Sequence, residues 1–292
     1  MKKPVFTGSA VAIVTPFTDK GINFDKLSEL CEFHVKNKTD AIVVTGTTGE
    51  ASTMPDAEHL SAIGHVVKSV NGRLPVIAGT GSNDTVHAVD LTRRACELGA
   101  DAILSVTPYY NKCSQEGLYQ HFKLVAEASD KPIILYNVPS RTSLNIAPQT
   151  YKRLSTLPNI NGVKECNIDQ VLDVAYLCKD ELNFYTGEDT MIVPMLSLGG
   201  LGVISVAANI MPEQVHNIVS SWMNGRHDEA RSIQIKLMPL IRALFSDVNP
   251  IPVKAAMNLL GMDVGPCRLP LTDPSPENLE QIRKSLALYN LI

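Results

Sequence analysis

The side chain best placed for covalent chemistry is a lysine at the end of a strand-like run. Lys164 directly follows Ile160–Val163. An ammonium there has little water, and desolvation disfavours the charged form and lowers its pKa. A neutral amine attacks carbonyl groups and forms Schiff bases. Strand alternation puts Lys164 and Gly162 on one face and Val163 and Glu165 on the other, so the glycine leaves room beside the amine. The same spacing is satisfied by a lysine that snorkels from the rim of a barrel.

Other strand ends carry polar groups of complementary types. Gly46-Thr47-Thr48-Gly49-Glu50 follows the apolar run Ala41–Thr45 and precedes a helical stretch. Free amides in such a turn form an anion nest, and a carboxylate is its natural occupant. An ordinary strand-to-helix turn with a capping threonine has the same composition. A phosphate loop of the GxxxxGK[ST] type does not occur. Tyr110 and Tyr136 supply phenols that could move protons if they reach a Schiff base, although buried tyrosines commonly just find a hydrogen-bond partner. Arg141, within Pro139-Ser-Arg-Thr142, has the fork that grips a carboxylate, although the surface is the commoner fate of an arginine. The seven histidines form no HExxH and no GxSxG occurs, so no metal site is expected and a Ser/His/Asp hydrolase is disfavoured.

Eight short strand-like runs position these groups: Val11–Pro16, Ala41–Thr45, Val76–Gly79, Ala102–Thr107, Ile133–Asn137, Ile160–Lys164, Phe184–Thr186 and Val203–Val206. Helix-length amphipathic stretches separate them, among them Phe24–Lys36, Asp56–Val70, Thr85–Leu98 and Gln115–Ala128. Near-continuous apolar strands signal a parallel sheet covered on both faces. Alternation of this kind, eight times over, predicts an α/β (β/α)8 TIM barrel, whose site lies at the C-terminal ends of the strands. A doubly wound sheet is the competitor, but the first strand runs into Val14-Thr15-Pro16-Phe17 and not into a glycine-rich turn. After Val206 the pattern is helical: Pro212 with Glu213–Met223, then Asp228–Phe245, a break at Pro250 and Pro252, Val253–Leu260 and Glu277–Tyr289. The division expected is a barrel over 1–225 and a helical region over 226–292, which either caps the barrel or builds an oligomer contact.

Composition bounds the setting. The 292 residues carry 26 basic and 30 acidic side chains, a net charge of −4, which argues against a general nucleic-acid binder. No window approaches the ~18 apolar residues of a membrane span. Met1-Lys2-Lys3 looks like a signal n-region, but Thr15 and Pro16 close the apolar run behind it, so no secretory signal is expected. The six cysteines form no CxxC pair and read as reduced, mostly buried thiols of a cytoplasmic protein.

Taken together, Gly46-Thr-Thr-Gly-Glu50, Thr107-Pro-Tyr-Tyr-Asn111, Tyr136-Asn-Val-Pro-Ser-Arg-Thr142 and Gly162-Val-Lys-Glu165 resemble the dihydrodipicolinate synthase family of pyruvate-dependent class I aldolases. The resemblance runs from Gly8-Ser-Ala10 to the helical tail. It implies that Lys164 forms a Schiff base with pyruvate, that Tyr136, Thr47 and Tyr110 relay protons, and that Tyr110 reaches into a neighbouring subunit. It further implies that Thr48 binds the pyruvate carboxylate, that Ile204 (through its carbonyl) and Gly187 line the site, and that Arg141 holds L-aspartate 4-semialdehyde. No metal or organic cofactor is implied, and the usual assembly is a homotetramer serving diaminopimelate and lysine synthesis. Sugar-acid aldolases or lyases on the same machinery, and a catalytically idle keto-acid sensor, are the competing functions. Many members are inhibited by lysine in an interface pocket. Ser52, His59, Asn83 and Tyr109 are compatible with one here, whereas Asp56 and His87 stand where His and Glu are usual, so weak or absent feedback is expected.

Overall fold

A computed structural model describes residues 2–292, so Met1 of the Met1-Lys2-Lys3 segment lies outside the described residues. Eight parallel strands close into a barrel: β1 (Gly8–Ala12), β2 (Ala41–Val44), β3 (Val76–Gly79), β4 (Ala102–Val106), β5 (Ile133–Asn137), β6 (Ile160–Glu165), β7 (Asn183–Thr186) and β8 (Gly202–Ser205), with β8 pairing back onto β1. The helices are α1 (Phe24–Lys36), α2 (Asp56–Val70), α3 (Thr85–Glu97), α4 (Gln115–Glu127), the short turn α5 (Pro139–Thr142), α6 (Pro148–Leu154), α7 (Val171–Cys178), α8 (Ile192–Ser197) and α9 (Pro212–Met223). Three further helices follow: α10 (His227–Leu244), α11 (Ile251–Leu259) and α12 (Pro276–Leu288). The (β/α)8 barrel with a helical tail is therefore the observed architecture. Among the described residues, no helix is long and apolar enough to cross a membrane.

Strand alternation sorts the core into two layers. Val11, Ile42, Val44, Ile103 and Val163 face the helices, while Ala10, Val43, Ile77, Leu104, Ile134 and Ile204 fill the barrel interior. Helix starts follow local chemistry: Asn23, Asp84, Ser114 and Ser275 each accept a hydrogen bond from an amide in the first turn of α1, α3, α4 and α12.

Two boundaries differ from the sequence reading. The first strand is Gly8–Ala12, not Val11–Pro16. Its small residues carry little β-branched signal, but they suit a tight seam: Gly8 pairs with Gly202, where an added Cβ would stand 1.9 Å from the Gly8 carbonyl oxygen. The second difference is Pro252, which does not interrupt the tail but lies in the first turn of α11. Proline is tolerated there because its missing N–H has no helical partner to lose. The six thiols are unpaired, but only Cys31 and Cys178 are buried, and the other four are half-exposed. Within the tail α12 packs against α10 and α11, while α10 packs chiefly against α9 and so ties the tail to the barrel.

Candidate active site

Lys164 sits near the C-terminal end of β6 and is 6% exposed. The outward face of the same strand explains its rigidity. The Glu165 carboxylate accepts from Asn137 Nδ2 (2.7 Å), the Asn167 amide (2.8 Å), Tyr151 Oη (2.9 Å) and Gln170 Nε2 (2.9 Å). Burial raises its pKa, and these donors pull the other way.

Inward, Lys164 is the register partner of Tyr136 on β5 and of Tyr185 on β7. Its Nζ lies 4.2 Å from the Tyr136 ring centroid. Tyr185 is fully buried, stacks on Phe6 at 4.3 Å and donates to the Phe6 carbonyl at 2.8 Å, which closes the floor below the amine. Burial lowers the pKa of Lys164, against the opposing influence of the nearby Glu188 and Asp189 carboxyl groups. Two lysines are buried in the chain, and among the described residues Lys164 is the one without an ion pair.

Gly187 makes room for this lysine, whereas Gly162 makes room for the neighbouring strand β7. At Gly162 a Cβ would lie 2.7 Å from the Asn183 carbonyl oxygen and 3.3 Å from the Tyr185 ring. At Gly187 it would lie 2.5 Å from Cys166 Sγ and 2.8 Å from Lys164 Cε. Tyr136 is 7% exposed; burial raises its phenol pKa, while Thr47 beside it acts in the opposite sense.

The Gly46–Glu50 turn is held in a strained form. Thr45, which is β-branched, has φ 53°, a region such residues rarely occupy. The Gly79 carbonyl accepts from Thr45 Oγ1 (3.0 Å) and bonds His59 Nε2 (2.8 Å), which fixes the turn from outside the barrel. The turn does not lead straight into a helix as its sequence suggests, because the one-turn 3-10 segment Ala51–Thr53 and Pro55 precede α2. The amides of Glu50 and Ala51 are bonded to Thr47 and Gly46, whereas those of Thr47 and Thr48 donate to no protein group among the described residues. Thr48 is 2% exposed and its hydroxyl oxygen accepts from Asn249 Nδ2 at 3.0 Å.

Lys164, Tyr136 and Thr47 are thus brought together, with Gly187 against the lysine stem. Ile204 is buried in the inner layer on β8. Arg141, exposed on the short turn α5, donates Nη2 to the Asn249 carbonyl at 3.3 Å. Tyr110 is not part of this cluster: it is 90% exposed, with φ 75°. A cavity of about 460 Å³ carries Thr47, Tyr136 and Arg141 on its wall and extends to Asp56, His59 and His87, while Lys164 is not part of that wall. There His87 contacts Asp56 Oδ1 at 2.9 Å and Ser82 Oγ at 3.1 Å.

The sequence reading missed a second buried group. Lys254 of α11 donates to the Thr15 carbonyl (3.1 Å), Glu50 Oε1 (2.9 Å) and the Pro266 carbonyl (2.6 Å). Glu50 Oε2 accepts from the Arg268 amide at 2.8 Å, and Phe17 lies beneath both cations. The signal was available, since Lys254 is a lone lysine in the apolar run Ile251–Met257, the same feature that marks Lys164.

Fold and site together define a barrel enzyme whose polar apparatus gathers at the C-terminal mouth. The family model described as the dihydrodipicolinate synthetase family matches residues 5–288. The chain is 58% identical over 292 residues to the 4-hydroxy-tetrahydrodipicolinate synthase of Acetivibrio thermocellus, covering 100% of both chains. It is 55% identical over 291 residues to that of Caldicellulosiruptor saccharolyticus, covering 99% of this chain and 98% of the relative. The solved dihydrodipicolinate synthase from Aquifex aeolicus superposes with a TM-score of 0.96 at 46% identity, covering 98% of this chain and 99% of that one. A structure described as the first monomeric dihydrodipicolinate synthase variant gives a TM-score of 0.96 at 38% identity, over 99% of this chain and 98% of that one. The chain belongs to the dihydrodipicolinate synthetase family and is a lyase.

Proposed function

We propose that this chain joins pyruvate to L-aspartate 4-semialdehyde and forms 4-hydroxy-tetrahydrodipicolinate through a Schiff base on Lys164. The observation that carries the reading is the buried amine itself, unpaired and set against the Tyr136 ring. The neutral amine attacks the pyruvate ketone and water leaves, which gives an iminium. The iminium withdraws electrons, so a methyl proton is lost to a weak base and an enamine forms. The enamine carbon then attacks the aldehyde, whose oxygen takes up a proton. The amino group of the second substrate displaces Lys164 from the iminium carbon, which closes the ring and frees the enzyme.

Each side chain has a role in that sequence. Tyr136 and Thr47 stand where protons must pass to and from the bound keto acid. Thr48 and the free amides of its turn receive the pyruvate carboxylate. Gly187 and the Ile204 carbonyl line the site. Arg141 holds the carboxylate of the semialdehyde, and bringing two bound reactants together removes a large part of the barrier, up to about 7–11 kcal/mol in well-oriented cases. Tyr110, exposed in one chain, completes the proton relay of a second copy within a homotetramer. The scheme employs no metal and no organic cofactor. The enzyme works in the cytoplasm, in diaminopimelate and lysine synthesis.

Borohydride reduction in the presence of pyruvate, followed by mass mapping, tests the reading: the adduct is expected on Lys164. Pyruvate consumption that needs no aspartate semialdehyde, or release of pyruvate from a sugar acid, would assign the site to another aldolase. A Lys164→Ala variant with near-normal turnover would overturn the Schiff-base chemistry altogether.

A further inference from the structure

Asn249 lies in the segment between α10 and α11, is 7% exposed, and touches two groups of the site from the helical tail. Its side-chain Nδ2 donates to Thr48 Oγ1 at 3.0 Å, and its main-chain carbonyl accepts from Arg141 Nη2 at 3.3 Å. The other end of the amide, Oδ1, is buried without a partner. The side chain therefore makes its one hydrogen bond to Thr48, and an unpaired buried acceptor is a poor arrangement for a residue that serves only the fold. A hydroxyl oxygen that already accepts an N–H keeps its own proton for another acceptor. With the Thr48 amide also free, both donors of that residue are available to an anion.

We propose that Asn249 is a positioning residue for the first substrate, acting through Thr48, whose hydroxyl it holds as a donor to the keto-acid carboxylate. The inference rests on the assignment of Thr48 given above. The contact with Arg141 is made by the main chain, so a change of the Asn249 side chain separates the two halves of the site.

The experiment is a double-mutant cycle on the full-length enzyme with pyruvate and L-aspartate 4-semialdehyde. Borohydride trapping of the wild-type enzyme comes first, because a missing Lys164 adduct sinks the functional reading, and this inference falls with it. Given the adduct, Asn249→Ala is expected to raise the pyruvate KM about tenfold, the size of one lost hydrogen bond. The KM of the semialdehyde and kcat should stay within about threefold. In a Thr48→Val background the same substitution should change the pyruvate KM less than about twofold, since the group it acts on is gone. Asn249→Asp keeps the size but turns the donor into an acceptor for the Thr48 proton. Its pyruvate KM should be raised at neutral pH and recover as the new carboxylate is protonated, a response that a purely structural role does not give. Additive effects in the double variant, an equal rise in both KM values, or a pH-independent Asn249→Asp defect would overturn the proposal with the Lys164 adduct intact.

Discussion

Lys164 and Tyr136 are direct partners across the β5–β6 ladder, and the lysine nitrogen stands 4.2 Å from the tyrosine ring centre. A ring face attracts a cation by about 0.5–2 kcal/mol, less than a buried carboxylate would supply. Burial outweighs both the ring and the nearby carboxyl groups of Glu188 and Asp189, and the pKa of Lys164 falls below the ordinary 10.5. The neutral form is the nucleophile, so trapping by pyruvate and borohydride should rise with pH and level off above the lowered pKa. A midpoint at or above 10.5 would contradict this. Tyr136→Phe keeps the ring and removes the phenol. It should leave the midpoint in place while kcat falls by about 10²–10⁴, the usual scale of one proton-transfer group.

Arg141 serves the second substrate alone in this scheme. Arg141→Ala should lower kcat/KM for the semialdehyde by roughly 10- to 100-fold, as expected for a lost charged hydrogen bond of about 1.5–3 kcal/mol. Mass mapping of the pyruvate adduct on the same variant should show unchanged labelling of Lys164. A matching loss of labelling would place Arg141 in the first half of the reaction.

Gly187→Ala puts a methyl group where Cys166 Sγ and Lys164 Cε stand 2.5 and 2.8 Å away. The lysine stem must move, and misplacement of a reacting atom by about 1 Å can cost 10²-fold in rate. Adduct formation should slow by that order, while circular dichroism and the urea midpoint change little. Gly187→Ala combined with Cys166→Ala relieves the nearer clash and should recover part of the rate.

Lys254 and Glu50 form an almost fully enclosed pair, at 2% and 0% side-chain exposure. Removing one partner strands the other, and the cost of a broken buried pair is about 3–5 kcal/mol. Lys254→Met should lose that much in urea denaturation. The double variant Lys254→Met/Glu50→Leu should be more stable than Lys254→Met. If both are equally destabilised, the pair contributes nothing beyond packing.

His87 faces Asp56 and Ser82 at the outer end of the cavity, so the Asp56 carboxylate on this wall is shared with a histidine that stands where a second carboxylate would draw an ammonium. Activity assayed with millimolar L-lysine should stay close to its uninhibited value. Potent, cooperative inhibition would show that the pocket still receives an amino acid.

Much of this arrangement could be read along the chain. β3 and β5 and helices α1 and α2 have the bounds their sequences predict, because each is a continuous apolar or amphipathic run between clear stops. β1 was misplaced, since a glycine-to-glycine seam is a property of two distant strands and neither segment shows it alone. The turn at Thr45–Glu50 looked like a plain helix entrance because its left-handed Thr45 is enforced by Gly79 and His59, far away in sequence. Lys164 stands out because it closes a strand-like run, whereas Asn249 does not, because an asparagine between Val248 and Pro250 reads as a turn residue. Its meaning lies in a contact with Thr48, 201 positions earlier.

Three residues of the last stretch of chain, Asn249, Lys254 and Arg268, grip the short segment from Thr48 to Glu58. Barrel and tail therefore cannot drift apart independently through evolution. A chimaera that grafts a distant relative's final quarter onto this barrel inherits unmatched buried charges and a misaligned threonine. Fitting such a graft calls for changes at Thr48 and Glu50 made together with it.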